Sequence, residues 1–500
     1  MTKAESKFYT RLSKYVGSSH FYRLVIGILI VQAAWIALTG RYPMAFDEDF
    51  HLGIIRLYAH HWLPIWSGQP PGADMFGAVA RDPSYLYQYI LSWPYRLIAL
   101  FTNDQNLQVI ILRAINIALF AYGVILFKRL LEKTKASNSV INISILLFVL
   151  IPIVPLLAAQ INYDNLFLPV TAFILLKTWE FKDRLNSSNK IDIKALMSLI
   201  IFCMLASLVK YAFLPIFIAI IIYILFSLWK NNRSLKGIFN KTRSAWLKLD
   251  RWWRIGLALT FIVTSLLFAE RYIINIIRYH SPVPNCNKIL SVSACSKYGP
   301  WIRDYTFENN KVEVSRSPVI YTKQWLYGMW FRSYFAVDGP STDFQTRRPL
   351  PVPSYSAIFF TVLAFIAAIA KRKTLYRKYN GQLISFLLGV AFIYVATLWV
   401  DEYLAFLRTT QPVAINGRYL IPVILPVIMV GSLAISELLK NYQILKVIMV
   451  STAIFCSIWG GGALTYILRS NDQWYWRNQT VYDINHAVNN LMGPITPGYK

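Results

Sequence analysis

The chain has 500 residues, of which 56% are apolar and only 15% charged, with a formal net charge of +27 at pH 7. Soluble domains carry about a quarter of their residues as charges, so this composition excludes an ordinary soluble domain and predicts a polytopic, all-α membrane protein. The basic residues fall mostly in short segments between apolar runs, where they orient helices toward the cytoplasm, and no basic patch calls for a nucleic-acid partner.

A spanning helix needs about 20 apolar residues. Eleven runs approach that length: about 22–39, 107–129, 140–158, 162–178, 193–209, 211–229, 255–274, 354–370, 382–400, 418–437 and 445–467. The first has no small-residue cleavage site after it and reads as a retained helix, not a cleaved signal peptide. The fifth and sixth come from one run, 195–229, which as a single helix is about 52 Å long and exceeds the bilayer. The stretch "SLVKYAFLP" is therefore expected to turn near an interface. No internal repeat is visible.

Alternate connections are basic: Lys3, Lys7, Arg11 and Lys14 at the N-terminus, then "FKRLLEKTK", "KTWEFKDRLNSSNK", the long 229–254 segment and "KRKTLYRK". The positive-inside rule puts these in the cytoplasm. The expected organisation is a cytoplasmic N-terminus (1–21) and a membrane module (22–274) whose first outer loop is 40–106. An extracytoplasmic segment (275–353), C-terminal spanning helices (354–468) and an outer tail (469–500) follow. The setting expected is a plasma membrane.

The first outer loop opens with "YPMAFDEDFHLGI", which holds Asp47, Glu48 and Asp49 in a chain otherwise short of acid. Two readings of Asp47 stand side by side. It is a carboxylate at the mouth of the first helix able to take a proton, or it is the N-cap of a helix beginning at Glu48. Two aromatic stretches follow, "FHLGIIRLYAHHWLPIW" and "PSYLYQYILSWPYRLIALF", each with an Arg. They read as helices lying flat at the interface.

One helix, an outer loop opening with "FDED", then "RDPSYLY" and "ILRAIN" resembles the start of the GT-C type integral-membrane glycosyltransferases, such as protein O-mannosyltransferases and lipid A aminoarabinose transferases. "NYDNL" and "NGRYLIPVILP" are similar to a bacterial branch of that superfamily. The resemblance implies a GT-C-like fold and transfer of a sugar from a polyprenyl-phosphate donor to a glycan, lipid or protein acceptor on the extracytoplasmic face. It assigns the catalytic base to Asp47, with Glu48 as neighbour or metal ligand. Arg81 stands in the slot of the family's usual His-Pro-Pro, here Arg81-Asp82-Pro83-Ser84, so the role of that His does not carry over.

Displacing a lipid phosphate also needs cations for the leaving group. Lys210, in the turn of "LVKYAFLP", matches the family's phosphate-contacting Lys, and Arg418 of "INGRYLIP" is a second candidate donor. Tyr163, Asp164, His51 and Arg81 complete the expected substrate-binding set. Membrane anchoring is the alternative for each lone Lys or Arg. A divalent metal held by His51, His60 or His61 with Asp47 or Glu48 is a further possibility, since imidazole and carboxylate suit such an ion.

Cys286 and Cys295 share the stretch "NCNKILSVSAC", where a disulfide fits an oxidising exterior and two free thiols are the alternative. The aromatics of 275–353 form a lid or acceptor platform, or lie at the interface. A lipid-linked glycan transporter is the competing function, but the charges sit at helix mouths, not at the midplane where transporters bind.

Overall fold

The computed structural model describes residues 3–188, 190–337 and 346–499, with side chains from residue 9 onward. The side chains of Lys3 and Lys7, and residues 338–345 of the outer segment, lie outside it. The fold is nearly all-α. Among the described residues the strands are Ala336–Val337 and its antiparallel partner Thr346–Arg347, beside a bridge from Gly40 to Tyr475.

Among the described residues seven helices are long and apolar enough to span: Ser19–Thr39, Gln105–Glu132, Tyr211–Asn232, Arg251–Tyr279, Pro351–Lys378, Gly381–Thr409 and Gly417–Leu438. Shorter apolar helices cover Asn138–Val149, Ile193–Val209 and Gln443–Ile458. Several present apolar side chains outward, such as Ile262, Val263 and Leu266 or Phe359, Val362 and Phe365. An apolar surface of that extent requires lipid around it, so this is a membrane-embedded protein.

Among the described residues seven of the eleven expected runs thus form helices of spanning length, and the other four form shorter or more polar helices, with local causes. The run 140–158 stops at Val149 and restarts as Ile153–Ala158, because the Pro152 ring cannot follow a helical carbonyl four residues earlier. The run 445–467 ends at Ile458 and restarts at Leu464. The break is Gly460-Gly461-Gly462, where Gly460 and Gly462 take φ of +90° and +56°, values costly for other residues. A Cβ on Gly462 would stand 1.8 Å from Gln32 Oε1, and its N–H donates to the Leu150 carbonyl at 2.8 Å. Two broken runs therefore meet at one place. The run 162–178 is one helix, Asp164–Ser188, but its last turns carry Lys177, Glu180, Lys182, Asp183 and Arg184.

The run 195–229 breaks where expected. Its first helix ends at Val209, Lys210 is extended (φ −152°, ψ 124°), and Leu214–Asn232 follows a short 3-10 turn. In the first outer loop the two aromatic stretches form the helices Glu48–Ala59 and Leu86–Phe101, which pack on each other. Their arginines tie them together. Arg96 donates to the carbonyls of Tyr58 and His61, both at 2.7 Å, with its guanidinium over the rings of Trp62 and Trp93, while Arg56 donates to Tyr95.

Candidate active site

The acidic motif is built on strained backbone. Phe46 and Asp47 both adopt positive φ, +77° and +70°, a region that non-glycine residues enter only when their surroundings hold them there. The Phe46 carbonyl is held from two sides, by Arg418 Nη1 at 3.2 Å and Asn162 Nδ2 at 3.3 Å. Asp47 occupies the N-cap position, yet its side chain makes no capping hydrogen bond. It turns to Arg418 instead, with Oδ2 accepting from Nη2 at 2.6 Å. The capping alternative therefore fails at the side chain.

The pair is asymmetric. The Arg418 side chain is 6% exposed and that of Asp47 42%, so the carboxylate faces water from a wall of protein. Burial pushes the Asp47 carboxyl up, and the charge and hydrogen bond of Arg418, together with smaller contributions from neighbouring charges, more than offset this and leave it below its ordinary value.

Glu48, one residue on, faces the other way. Both of its oxygens accept from Arg113, from Nε at 2.8 Å and Nη2 at 2.7 Å. The backbone N–H groups of Met44 and Ile161 donate to it as well. Arg113 Nη1 spans to the carbonyls of Ala37 and Gly40, and both side chains are fully buried. This clamp ties the first helix, the acidic loop and the 105–132 helix together. Arg113 had no expected role; an ionisable residue inside an apolar run was the available signal.

A second ion pair closes the site. Lys210 Nζ lies 2.5 Å from Asp164 Oδ1, with both side chains buried. The ammonium sits over the rings of Tyr163 at 4.5 Å and Tyr419 at 5.0 Å, an arrangement that stabilises a desolvated cation. The segments carrying Asp164 and Arg418 start alike. In Asn162-Tyr163-Asp164 and in Asn416-Gly417-Arg418 the Asn side chain accepts from the backbone N–H of the charged residue, at 3.0 and 3.1 Å, an Asx turn that sets a helix start. Gly417 is required there, since a Cβ would meet Ser333 Oγ at 2.1 Å.

His51 lies one turn after Asp47, its N–H donating to the Asp47 carbonyl at 3.0 Å. The ring packs 4.5 Å from Tyr163. With the Gln88 amide oriented to donate to the carbonyls of Ser84 and Tyr85, its oxygen accepts from His51 Nδ1 at 3.0 Å. Burial drives the imidazole pKa down to about 3, so this histidine is neutral at pH 7. His60 and His61 lie at the other end of the helix Glu48–Ala59, about 20 Å from Asp47 at the helical rise. Among the described residues no group of three or more His, Cys, Asp or Glu converges as metal ligands; the ligand set expected from His51, His60 and His61 does not assemble.

Asp47, Asp164, Lys210, Arg418, Tyr163 and His51, far apart in the chain, thus form one cluster. Arg81 belongs to a neighbouring one, where it pairs with Glu270 at 2.9 Å and donates to Asn275 at 3.0 Å. Sequence reasoning did not foresee that each cation would rest on a carboxylate, nor the contribution of Tyr419. Cys286 and Cys295 are joined in a disulfide. No protein-family model matches the chain, and no curated protein matches it.

Proposed function

We propose that this protein is a GT-C-like glycosyltransferase that moves a sugar from a polyprenyl-phosphate donor to an acceptor on the extracytoplasmic face, by single displacement with inversion. The observation that carries the reading is a water-facing carboxylate, Asp47, bonded at 2.6 Å to a buried arginine, with a second buried cation, Lys210, against the same Tyr419 ring as that arginine. An acid open to a polar acceptor and cations set behind it are what this reaction uses.

In the reaction the acceptor oxygen or nitrogen attacks the anomeric carbon as the bond from that carbon to the phosphate oxygen breaks. Asp47 takes the acceptor's proton. The charge left on the polyprenyl phosphate is met by Arg418 and Lys210. Arg418 Nε is buried without a partner among the described residues, an unsatisfied donor that a phosphate oxygen completes. Once phosphate shares the guanidinium, Asp47 loses part of the charge that holds its pKa down and becomes a stronger base. Donor binding therefore readies the base, and the resting ion pair keeps it weak.

Orientation follows the basic segments at one end of the helices and the disulfide-bearing segment at the other. In this reading Glu48 positions the loop through Arg113, and Asp47, not Glu48, meets the reacting group of the acceptor.

The test is transfer of label from a panel of polyprenyl-phosphate sugars by purified wild type and Asp47→Asn, with both checked by size-exclusion chromatography. The expected result is turnover by wild type that falls roughly a hundredfold or more in a folded variant. Equal turnover removes Asp47 from the mechanism. Absence of turnover with every donor, alongside stabilisation by polyprenyl phosphates, points to a transporter of lipid-linked glycans.

A further inference from the structure

The two outer segments enclose a cavity of about 370 Å³ between residues 76–83 of the first loop and 283–308 of the second, with Tyr211 and Arg408 completing its wall. That volume is at the small end of ligand sites. The rim is tied by Glu308 to Arg408 at 2.5 Å and by Asp74 to Lys297 at 3.1 Å. The Cys286–Cys295 disulfide and the buried Trp301 pack together beside it. Gly77, at φ +76°, brings its backbone against Tyr298, where a Cβ would stand 2.9 Å from the ring.

The lining combines two kinds of group. Tyr211, Tyr298 and Tyr305 present ring surface, and Asp82, Asp304 and Asn287 present oxygen and amide groups. Tyr211 is 40% exposed. Asp82 accepts only the backbone N–H of Ser84, at 2.8 Å, and forms no ion pair among the described residues. The cations at the wall are already engaged, Arg81 with Glu270 and Arg408 with Glu308.

Charge and shape narrow the ligand. A phosphate or carboxylate ligand would meet carboxylates and no free cation. A purely apolar ligand would strand Asp82 without hydrogen bonds, at the cost of desolvating it. A pyranose ring offers an apolar C–H face to tyrosine and hydroxyl donors to carboxylates. The cavity also adjoins the chemistry: Tyr211 follows Lys210 in the chain, and the Tyr298 ring packs 5.9 Å from Phe50, three residues after Asp47.

We infer that this cavity is a saccharide-binding site, built from the two outer segments, that presents a short acceptor sugar to Asp47. The acceptor role rests on the glycosyltransferase reading; the saccharide binding does not. Tyr211 supplies the stacking surface and Asp82 accepts a hydroxyl.

The test is saturation-transfer NMR on the full chain in detergent, with the methyl glycosides of glucose, galactose, mannose and N-acetylglucosamine as probes. At least one glycoside is expected to bind wild type, with the signal falling about fivefold or more in Tyr211→Ala and in Asp82→Asn. Tyr211→Phe, which keeps the stacking ring, should retain it. Tyr211 is exposed, so its truncation leaves the core intact. Absence of any glycoside signal, or a signal indifferent to Tyr211→Ala, overturns the site. Tyr211-dependent binding without transfer from any polyprenyl-phosphate sugar overturns the transferase reading alone. Transfer whose acceptor KM ignores both Tyr211→Ala and Asp82→Asn overturns the cavity's acceptor role alone.

Discussion

Asp47 and Glu48 are neighbours in the chain and opposites in their surroundings. Glu48 is fully buried, takes four hydrogen bonds and meets Arg113 through both oxygens. Asp47 meets Arg418 through one oxygen and leaves 42% of its side chain to water. The first pair is saturated and can do nothing except hold the loop. The second has spare capacity on both partners, and spare capacity at a water-reached ion pair is what a reaction needs.

The contrast can be broken most forcefully at Arg113. Arg113→Met leaves the Glu48 carboxylate buried and unpaired, a loss of about 3–5 kcal/mol that should show as collapse of purified yield and a thermal midpoint lowered by many degrees. A variant as stable as wild type would mean that the clamp contributes nothing. Lys210→Met exposes Asp164 to the same penalty in a smaller network, and adding Asp164→Asn should recover part of the lost stability in a double-mutant cycle. If the two changes add without recovery, the pair at 2.5 Å is not coupled in solution.

Acid sharpens the comparison through His51, buried one turn after Asp47. Its imidazole titrates near about 6.5 when unfolded and about 3 in the fold. Below pH about 6.5 the unfolded chain binds a proton that the native state refuses, so stability falls with acidification by up to about 1.4 kcal/mol per pH unit. The loss continues until the pH approaches 3. His51→Gln should flatten that slope in thermal unfolding between pH 7 and 5; an unchanged slope would assign the acid sensitivity elsewhere. The smallest stability effect belongs to Asp47→Asn, about 1 kcal/mol, because Asn keeps an acceptor for Arg418 and the pair is open to water. A loss as large as that of Arg113→Met would erase the distinction between a clamp and a working pair.

Much of the site was legible before the fold. Lys210 interrupts an apolar run too long for one span, and Asp164 and Arg418 open apolar helices after an Asn. An ionisable residue at such a place stands out locally, because burying it in lipid is costly. The partners were not legible. Asp47 and Arg418 are separated by 371 positions and Arg113 and Glu48 by 65, and nothing in the neighbourhood of either names the other. The lengths of individual helices were not legible for a related reason. Hydropathy sums apolar residues and does not register Pro152 or the three glycines at 460–462, whose effect is steric.

Composition and local chemistry by themselves determined that the chain is helical and enters a membrane, where the 195–229 run turns, and that two cysteines share one short polar stretch. Each of these follows from interactions within a few residues or between one segment and its solvent. Tertiary structure alone decided which acid meets which base, which carboxylate is sealed and which stays open, and that two distant outer segments close around one cavity. Those outcomes depend on desolvation and on the geometry of packed helices, which exist only once the chain has folded.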